Sequence, residues 1–138
     1  MSSDTPVEVA IALVWQGDRL LITRRAANVH LGGMWELPGG KCEPGEDAAG
    51  CVAREVREEL GIEVEVLRAR PIIEHRYRDR VVRLHPFDCR CLAGEPEARG
   101  CTTWRWVRVA DLPRYDFPPA NKPLFEALAA ESTTNDGG

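Results

Sequence analysis

Residues 40 to 62 read GKCEPGEDAAGCVAREVREELGI, and the second half of this stretch has the pattern of an amphipathic helix. A helix over residues 46–60 presents one apolar face, about 100° wide, to the rest of the protein. The members of this face are Ala49, Val52, Ala53, Val56 and Leu60. Gly61 follows as the C-terminal stop, because glycine readily adopts the left-handed conformation that ends a helix.

Three glutamates, Glu55, Glu58 and Glu59, cluster on another face of this helix with the spacing i, i+3, i+4. Two carboxylates about 5–6 Å apart repel each other by roughly 3 kcal/mol at an effective dielectric constant of about 20. One interpretation is a solvated acidic face, in which ion pairs such as Arg54–Glu58 offset the repulsion. The other is a site for a hard divalent cation such as Mg²⁺, which prefers oxygen ligands. The charge pattern alone leaves both open.

The whole stretch also fits a longer pattern, G-x5-E-x7-R-E-U-x-E-E-x-G-U with U apolar, at every position from Gly40 to Ile62. This pattern is the signature of the Nudix hydrolase family, which the chain therefore resembles. The resemblance extends to the MutT branch, the 8-oxo-dGTP diphosphatases, through three further segments: ITRRA (22–26), WELPGGK (35–41) and DFPPAN (116–121). Together these segments span nearly the whole chain.

The resemblance implies the α/β Nudix fold, in which a mixed β-sheet is sandwiched between α-helices. It also implies a single domain over residues 1–138, with an ordered core at about 7–130 and frayed ends. The local patterns agree: they predict a hairpin from Val7–Trp15 and Arg19–Thr23, a long loop over 26–45, and strands at 62–67, 72–77, 81–91 and 104–107. A second helix is predicted from about residue 119 to 130, with Leu124, Phe125 and Leu128 as its buried stripe.

The resemblance also implies the residues of a metal centre. The Gly39 carbonyl and the carboxylates of Glu55, Glu58 and Glu59 correspond to ligands of Mg²⁺, for which Mn²⁺ is a possible substitute. Catalysis is assigned to the same three glutamates and to Arg54, which orients a catalytic glutamate and pairs with Glu46. The general base stays open, because some MutT relatives carry an additional loop glutamate where this chain has Gly100. Slow turnover is one consequence that this difference predicts.

Six residues correspond to the family's substrate pocket: Arg25, His30, Glu36, Leu37, Asp79 and Asn121. The Asn121 amide donates and accepts hydrogen bonds at once, as a purine edge requires, but an asparagine that caps the second helix is an alternative. Leu37 stands where relatives often have Phe, so the apolar wall offers no ring for stacking. Asp79 fits a turn between two strands equally well.

The composition limits the partners. The chain has 138 residues and a net charge of −4, which argues against a protein that wraps a nucleic acid. The arginines at 76, 78, 80 and 83 alternate, so 76, 78 and 80 share a face if the segment is extended. They predict either a charge-protected strand edge or a site for a triphosphate or an RNA 5′ end.

The cysteines and the N-terminus predict a cytoplasmic protein. Five cysteines occur without a C-x-x-C motif, so neither a zinc knuckle nor a thioredoxin-like motif is present. No signal peptide is visible, and no apolar stretch approaches the roughly 20 residues of a membrane span, so no membrane partner is expected. The sequence leaves open whether the protein is a monomer or a homodimer.

The leading hypothesis is a Mg²⁺-dependent MutT-type pyrophosphohydrolase that converts oxidised purine nucleoside triphosphates such as 8-oxo-dGTP to the monophosphate and pyrophosphate. This activity implies a role in nucleotide pool sanitation and DNA repair. Alternatives are a pyrophosphohydrolase of CTP, dCTP or other nucleoside-diphosphate-linked substrates, and a non-catalytic nucleotide-binding module. The three retained glutamates argue against the binding module, because a sensor has no need of repelling carboxylates.

Overall fold

A computed structural model describes residues 5–28 and 32–136. Its eight strands are β1 (Val7–Gln16), β2 (Arg19–Arg24), β3 (Trp35–Glu36), β4 (Gly39–Lys41), β5 (Glu63–Ala69), β6 (Ile73–Arg76), β7 (Val81–Ala93) and β8 (Thr103–Arg108). The helices are α1 (Ala48–Leu60) and α2 (Lys122–Asp136), and two 3₁₀ helices cover Val109–Arg114 and Pro119–Asn121. No helix in the described part of the chain is long and apolar enough to cross a membrane.

All eight strands join one mixed sheet with β1 at its centre. β1 runs antiparallel to β2 and β4 and parallel to β7, from Val7 opposite Val82 to Trp15 opposite Arg90. β5 and β6 pair with β7, and β3 and β8 pair with β2, all antiparallel. The mixed sheet that the family resemblance implied is therefore confirmed.

The alternation of side chains along β1 divides the core between two layers. Ile11 and Leu13 pack in one cluster with Leu124 and Leu128 of α2. The small residues that alternate with them, Ala10 and Ala12, pack in the other cluster with α1. The two helices therefore cover opposite faces of the sheet, and the predicted α/β sandwich is confirmed.

α1 begins two residues later than predicted, because Asp47 is its N-cap. The Asp47 side chain accepts a hydrogen bond from the Gly50 N–H at 2.8 Å, which leaves Glu46 outside the helix. Gly61 ends the helix as predicted, in the left-handed conformation with φ 69°. Within the predicted stripe, Val52, Val56 and Leu60 are fully buried while the two alanines are partly exposed.

Two expectations about irregular segments are wrong. The segment 26–45, predicted as a long loop, contains the short strands β3 and β4, which long-range hydrogen bonds such as Trp35 N–H to Asp116 O (2.8 Å) hold in place. α2 starts after the 3₁₀ turn and continues to Asp136, beyond the predicted end at 130. Within the extension, the Arg70 guanidinium binds both carboxylate oxygens of Glu131 at 2.8 and 3.0 Å.

Candidate active site

Arg54 organises the acidic face of α1. Its guanidinium donates two hydrogen bonds to Glu46, at 2.7 and 2.9 Å. Hydrogen bonding to Arg54 lowers the pKa of Glu46 to about 2. The same guanidinium donates to Glu55 at 3.2 Å and to both oxygens of Glu58 at 3.2 Å. The structure thus forms the Arg54–Glu46 pair that the resemblance implied, and one guanidinium donates hydrogen bonds to three carboxylates.

Glu59 lies in a different environment from Glu58, although both belong to the same turn of α1. The Gly39 N–H donates a hydrogen bond to the Glu59 carboxylate. Its other oxygen, Oε1, is buried and has no hydrogen-bond partner among the described residues. Burial raises the pKa of Glu59 to about 8, and the charges of Glu36 and Glu55 add to this effect. The side chain is therefore placed where a negative charge is costly unless a cation compensates it.

Gly39 and Gly40 allow β4 to approach this cluster closely. A Cβ atom on Gly40 would lie 2.5 Å from the carboxylate carbon of Glu55, and one on Gly39 would lie 2.1 Å from the carbonyl oxygen of Ala10. Neither position accepts a side chain without displacing its neighbours. The glycine doublet therefore brings main-chain groups next to Glu55 and Glu59, which is the arrangement that the proposed Gly39 carbonyl ligand requires.

The donor set suits a divalent cation but is not yet assembled around one point. Within residues 5–28 and 32–136, no three His, Cys, Asp or Glu side chains converge as a ready metal site. The Glu55 side chain is 18% exposed, whereas that of Glu58 is 59% exposed and bound to Arg54. The unpaired Glu59 oxygen and the neighbouring carboxylates fit the oxygen-rich shell of Mg²⁺.

A cleft leads from these glycines to the N-terminal end of α2. It consists of two adjoining cavities of about 270 and 140 Å³, which share Arg25, Glu36, Leu37 and Tyr77 in their walls. The larger cavity reaches the glycine doublet, and the smaller one reaches Asn121. Val9, Ile11 and Leu84 form an apolar floor on the α2 side of the sheet.

The cleft brings together four of the six residues predicted to contact substrate. Arg25 donates to Glu36 at 3.0 Å across its wall, and Leu37 is almost fully buried beside them. Burial raises the pKa of Glu36, and Arg25 partly opposes the shift. Asn121 is only 7% exposed, and it directly precedes α2 while also lining the cleft.

Of the other two predicted substrate residues, the structure describes only Asp79, and it is not in the cleft. Asp79 is exposed in the turn between β6 and β7 and does not line either cavity, so the structure places it in the turn that was its alternative. His30 lies outside the described residues.

Tyr77 and Arg80 line the cleft from this turn; sequence reasoning named Arg80 only as part of the arginine run and missed Tyr77. The Tyr77 N–H donates to the Arg80 carbonyl at 2.8 Å, which closes the turn. The Tyr77 ring meets His75 edge-to-face, with 4.6 Å between ring centroids. The alternation of apolar and aromatic residues at 73, 75 and 77 is the signal that would have identified it.

The alternating arginines do not share a face. Because the chain reverses between β6 and β7, Arg76 pairs with Val81 while Tyr77 faces Arg80. Side chains of successive residues point to opposite faces, so Arg76 and Arg80 are separated by the sheet. Arg83, on β7, pairs with Glu8 and Glu74 at 3.2 Å each. The expectation of a continuous arginine face at 76, 78 and 80 is therefore wrong.

Comparison with known proteins agrees with this geometry. The NUDIX domain model matches residues 10–127. An 8-oxo-dGTP diphosphatase of Escherichia coli (strain K12) is 32% identical over 123 residues, which cover 88% of this chain and 95% of that protein. A CTP pyrophosphohydrolase of the same strain is 32% identical over 124 residues, covering 90% and 92%. A crystal structure of the MutT protein from Methanosarcina mazei Go1 superposes with a TM-score of 0.83 at 25% identity, covering 96% of this chain and 99% of that one. The chain therefore belongs to the NUDIX family and is a Nudix hydrolase.

Proposed function

We propose that this enzyme is a Mg²⁺-dependent nucleoside triphosphate pyrophosphohydrolase that acts on oxidised purine nucleotides such as 8-oxo-dGTP. The observation that carries the proposal is one continuous cleft that reaches the glycine doublet, next to the Glu55 carboxylate, at one end and the buried amide of Asn121 at the other. A nucleotide placed in this cleft has its phosphates near the carboxylates and its base near Asn121. The proposed role is the removal of oxidised nucleotides from the pool.

The base end of the cleft combines an apolar wall with few polar groups. Leu37 and Tyr77 supply the apolar surfaces, and the Tyr77 ring provides the stacking partner that Leu37 lacks. Asn121 presents an amide that both donates and accepts, which suits a purine edge. A buried polar group discriminates strongly, because a base that leaves it unpaired binds less well.

At the phosphate end, the proposed ligands are Glu55, Glu58, Glu59 and the Gly39 carbonyl. Mg²⁺ or Mn²⁺ held by these groups would neutralise phosphate charge and acidify a water molecule. Water attacks a phosphorus of the triphosphate bridge, the bond to the bridging oxygen breaks, and the products are a monophosphate and pyrophosphate. Gly100 carries no carboxylate, so we assign the proton acceptor to one of the three α1 glutamates. Arg54 orients Glu55 and Glu58 in this scheme.

A cytidine nucleotide is the second candidate substrate. The CTP pyrophosphohydrolase relative matches this chain at the same 32% identity and over a similar length as the 8-oxo-dGTP diphosphatase. An amide at the base end also suits a cytosine edge, which presents both a donor and an acceptor.

A substrate panel tests the proposal. Purified protein is incubated with 8-oxo-dGTP, dGTP, CTP and dCTP, with Mg²⁺ or with excess EDTA, and the products are separated by anion exchange. The expected result is Mg²⁺-dependent release of pyrophosphate, fastest from 8-oxo-dGTP. Faster turnover of CTP or dCTP would show that a cytidine nucleotide is the preferred substrate. Release of inorganic phosphate instead of pyrophosphate would refute the assignment of the bond that breaks.

A matched pair of variants separates an enzyme from a nucleotide-binding module. Glu58→Gln is expected to lower turnover by orders of magnitude while the fold persists. Glu95→Gln, at an exposed position in the turn after β7, is the control and is expected to keep wild-type turnover. Absence of Mg²⁺-dependent turnover with every nucleotide would leave only the binding module.

A further inference from the structure

The segment Glu97–Gly100, between β7 and β8, lies across the C-terminal end of α1. The Glu97 N–H donates to the Leu60 carbonyl at 2.9 Å. The Arg99 and Gly100 N–H groups both donate to the Glu59 carbonyl, at 2.9 and 3.0 Å. The last carbonyls of a helix have no partner within the helix, so this segment satisfies them and fixes the main chain of Glu59.

Gly100 also touches the side chain of Glu59. A Cβ atom on Gly100 would lie 3.1 Å from Cγ of Glu59 and 3.4 Å from its Cα atom. Such a contact requires Glu59 to shift by a few tenths of an ångström. At the other end of the side chain, the Gly39 N–H holds the carboxylate. Glu59 therefore lies between Gly100 at its stem and Gly39 at its head, while its Oε1 atom is buried and has no hydrogen-bond partner among the described residues.

The segment is anchored by its own side chains. The guanidinium of Arg99 packs against Gly61, where a Cβ atom would come within 2.6 Å of its Cζ atom. Glu97 accepts hydrogen bonds from Arg99 at 3.0 and 2.8 Å. Arg99 packs on Gly61, the residue that ends α1. A side-chain contact therefore joins the segment to the end of the helix, in addition to the main-chain hydrogen bonds.

We propose that the segment Glu97–Gly100 is a positioning element for Glu59, with Gly100 as the positioning residue. Gly100 has no functional group. It acts only because its lack of a side chain leaves space for Glu59. Metal–oxygen distances tolerate deviations of about 0.2 Å, so a displacement of a few tenths of an ångström at one ligand weakens binding. The inference rests on the proposed function, because it needs Glu59 to bind the metal. In this proposal, the segment Glu97–Gly100 has a role that does not require a carboxylate at position 100.

The test is Mn²⁺ binding measured by isothermal titration calorimetry on wild type and Gly100→Ala. The main chain at Gly100 is not in the left-handed region, so alanine is allowed and its methyl group is the perturbation. We expect the Mn²⁺ dissociation constant to rise about tenfold, as for other residues that orient a metal ligand. The Mg²⁺ concentration for half-maximal turnover rises by the same factor, while the KM for nucleotide at saturating Mg²⁺ is unchanged.

Two further variants make the result decisive. Ala98→Ser alters an exposed side chain of the same segment and is expected to bind Mn²⁺ like wild type. Arg99→Ala loosens the anchor without adding an atom, and it is expected to weaken Mn²⁺ binding even if Gly100→Ala fails to fold. Wild-type affinity in both Gly100→Ala and Arg99→Ala overturns the positioning role and leaves the proposed function intact. If wild type takes up no Mn²⁺ even with nucleotide bound, the proposed function falls and the inference falls with it.

Discussion

Glu59→Gln is expected to stabilise the metal-free protein while it abolishes activity. The pKa of Glu59 is about 8 in the folded protein, against an ordinary value of 4.5. At pH 7 the side chain is therefore protonated in the folded state and ionised in the unfolded state. Folding then requires the uptake of one proton, which costs free energy. Glutamine removes this cost and keeps a carbonyl oxygen for the Gly39 N–H.

The expected gain in the free energy of unfolding follows from the interval between pH 4.5 and pH 7. At about 1.4 kcal/mol for each pH unit, the variant gains about 3 kcal/mol in the free energy of unfolding at pH 7. The sign follows from proton binding, because the folded wild type holds more protons than the unfolded chain between pH 4.5 and pH 8. Its stability therefore falls as the pH rises through this range, and the variant's advantage falls to nearly zero at pH 4.5.

Urea denaturation in excess EDTA, repeated across this pH range, measures the effect. Glu58→Gln is the matched control, because its side chain is 59% exposed and its change is expected to stay within about 0.5 kcal/mol. Turnover with Mg²⁺ is lost in both variants, so loss of activity does not track loss of stability. A Glu59→Gln protein no more stable than wild type at pH 7, or a gain independent of pH, refutes the reasoning.

Three further predictions concern the sheet and the cleft. Asp88→Asn is expected to destabilise the protein by about 3 kcal/mol in urea denaturation, because Asp88 is 4% exposed and its loss leaves the charge of the buried Arg70 without its inner partner. Tyr77→Leu is expected to lower kcat/KM for the preferred nucleotide about tenfold in initial-rate assays, whereas Tyr77→Phe keeps the ring and the rate. Asn121→Ala is expected to reduce the preference for 8-oxo-dGTP over dGTP about tenfold, measured as the ratio of the two kcat/KM values.

The sequence predicted the elements whose side chains repeat with a regular period. The helix with its glycine stop and the first hairpin are confirmed, because apolar periodicity and turn residues specify them locally. β3 and β4 have two and three residues, too few to show a period. They exist because residues distant in sequence pair with them, as when Arg24 lies opposite Trp35 and Ile11 lies opposite Gly39.

In the cleft, too, local sequence patterns identified only some of the residues that line it. Arg25, Glu36, Leu37 and Asn121 could be assigned because motifs mark them, and the structure brings them to one cleft. The turn after β6 was predicted in the right place, between strands at 72–77 and 81–91, but the residue of it that lines the cleft was not: the cleft takes Tyr77, and Asp79 is exposed. The alternation of side chains shows which of these residues faces the cleft only once the register of β6 against β7 is known. That register is a long-range property of the fold.

The acidic helix shows why helical spacing alone does not assign the roles of its carboxylates. The spacing places Glu58 and Glu59 side by side, and by sequence they are equivalent. Arg54, one turn away, draws Glu58 toward solvent, whereas a segment about 40 residues further along the chain encloses Glu59. One carboxylate is therefore exposed and paired with Arg54, and the other has a buried oxygen without a hydrogen-bond partner among the described residues. Their difference as metal ligands arises from the fold, which is why Glu59→Gln and Glu58→Gln are expected to diverge in stability while they agree in activity.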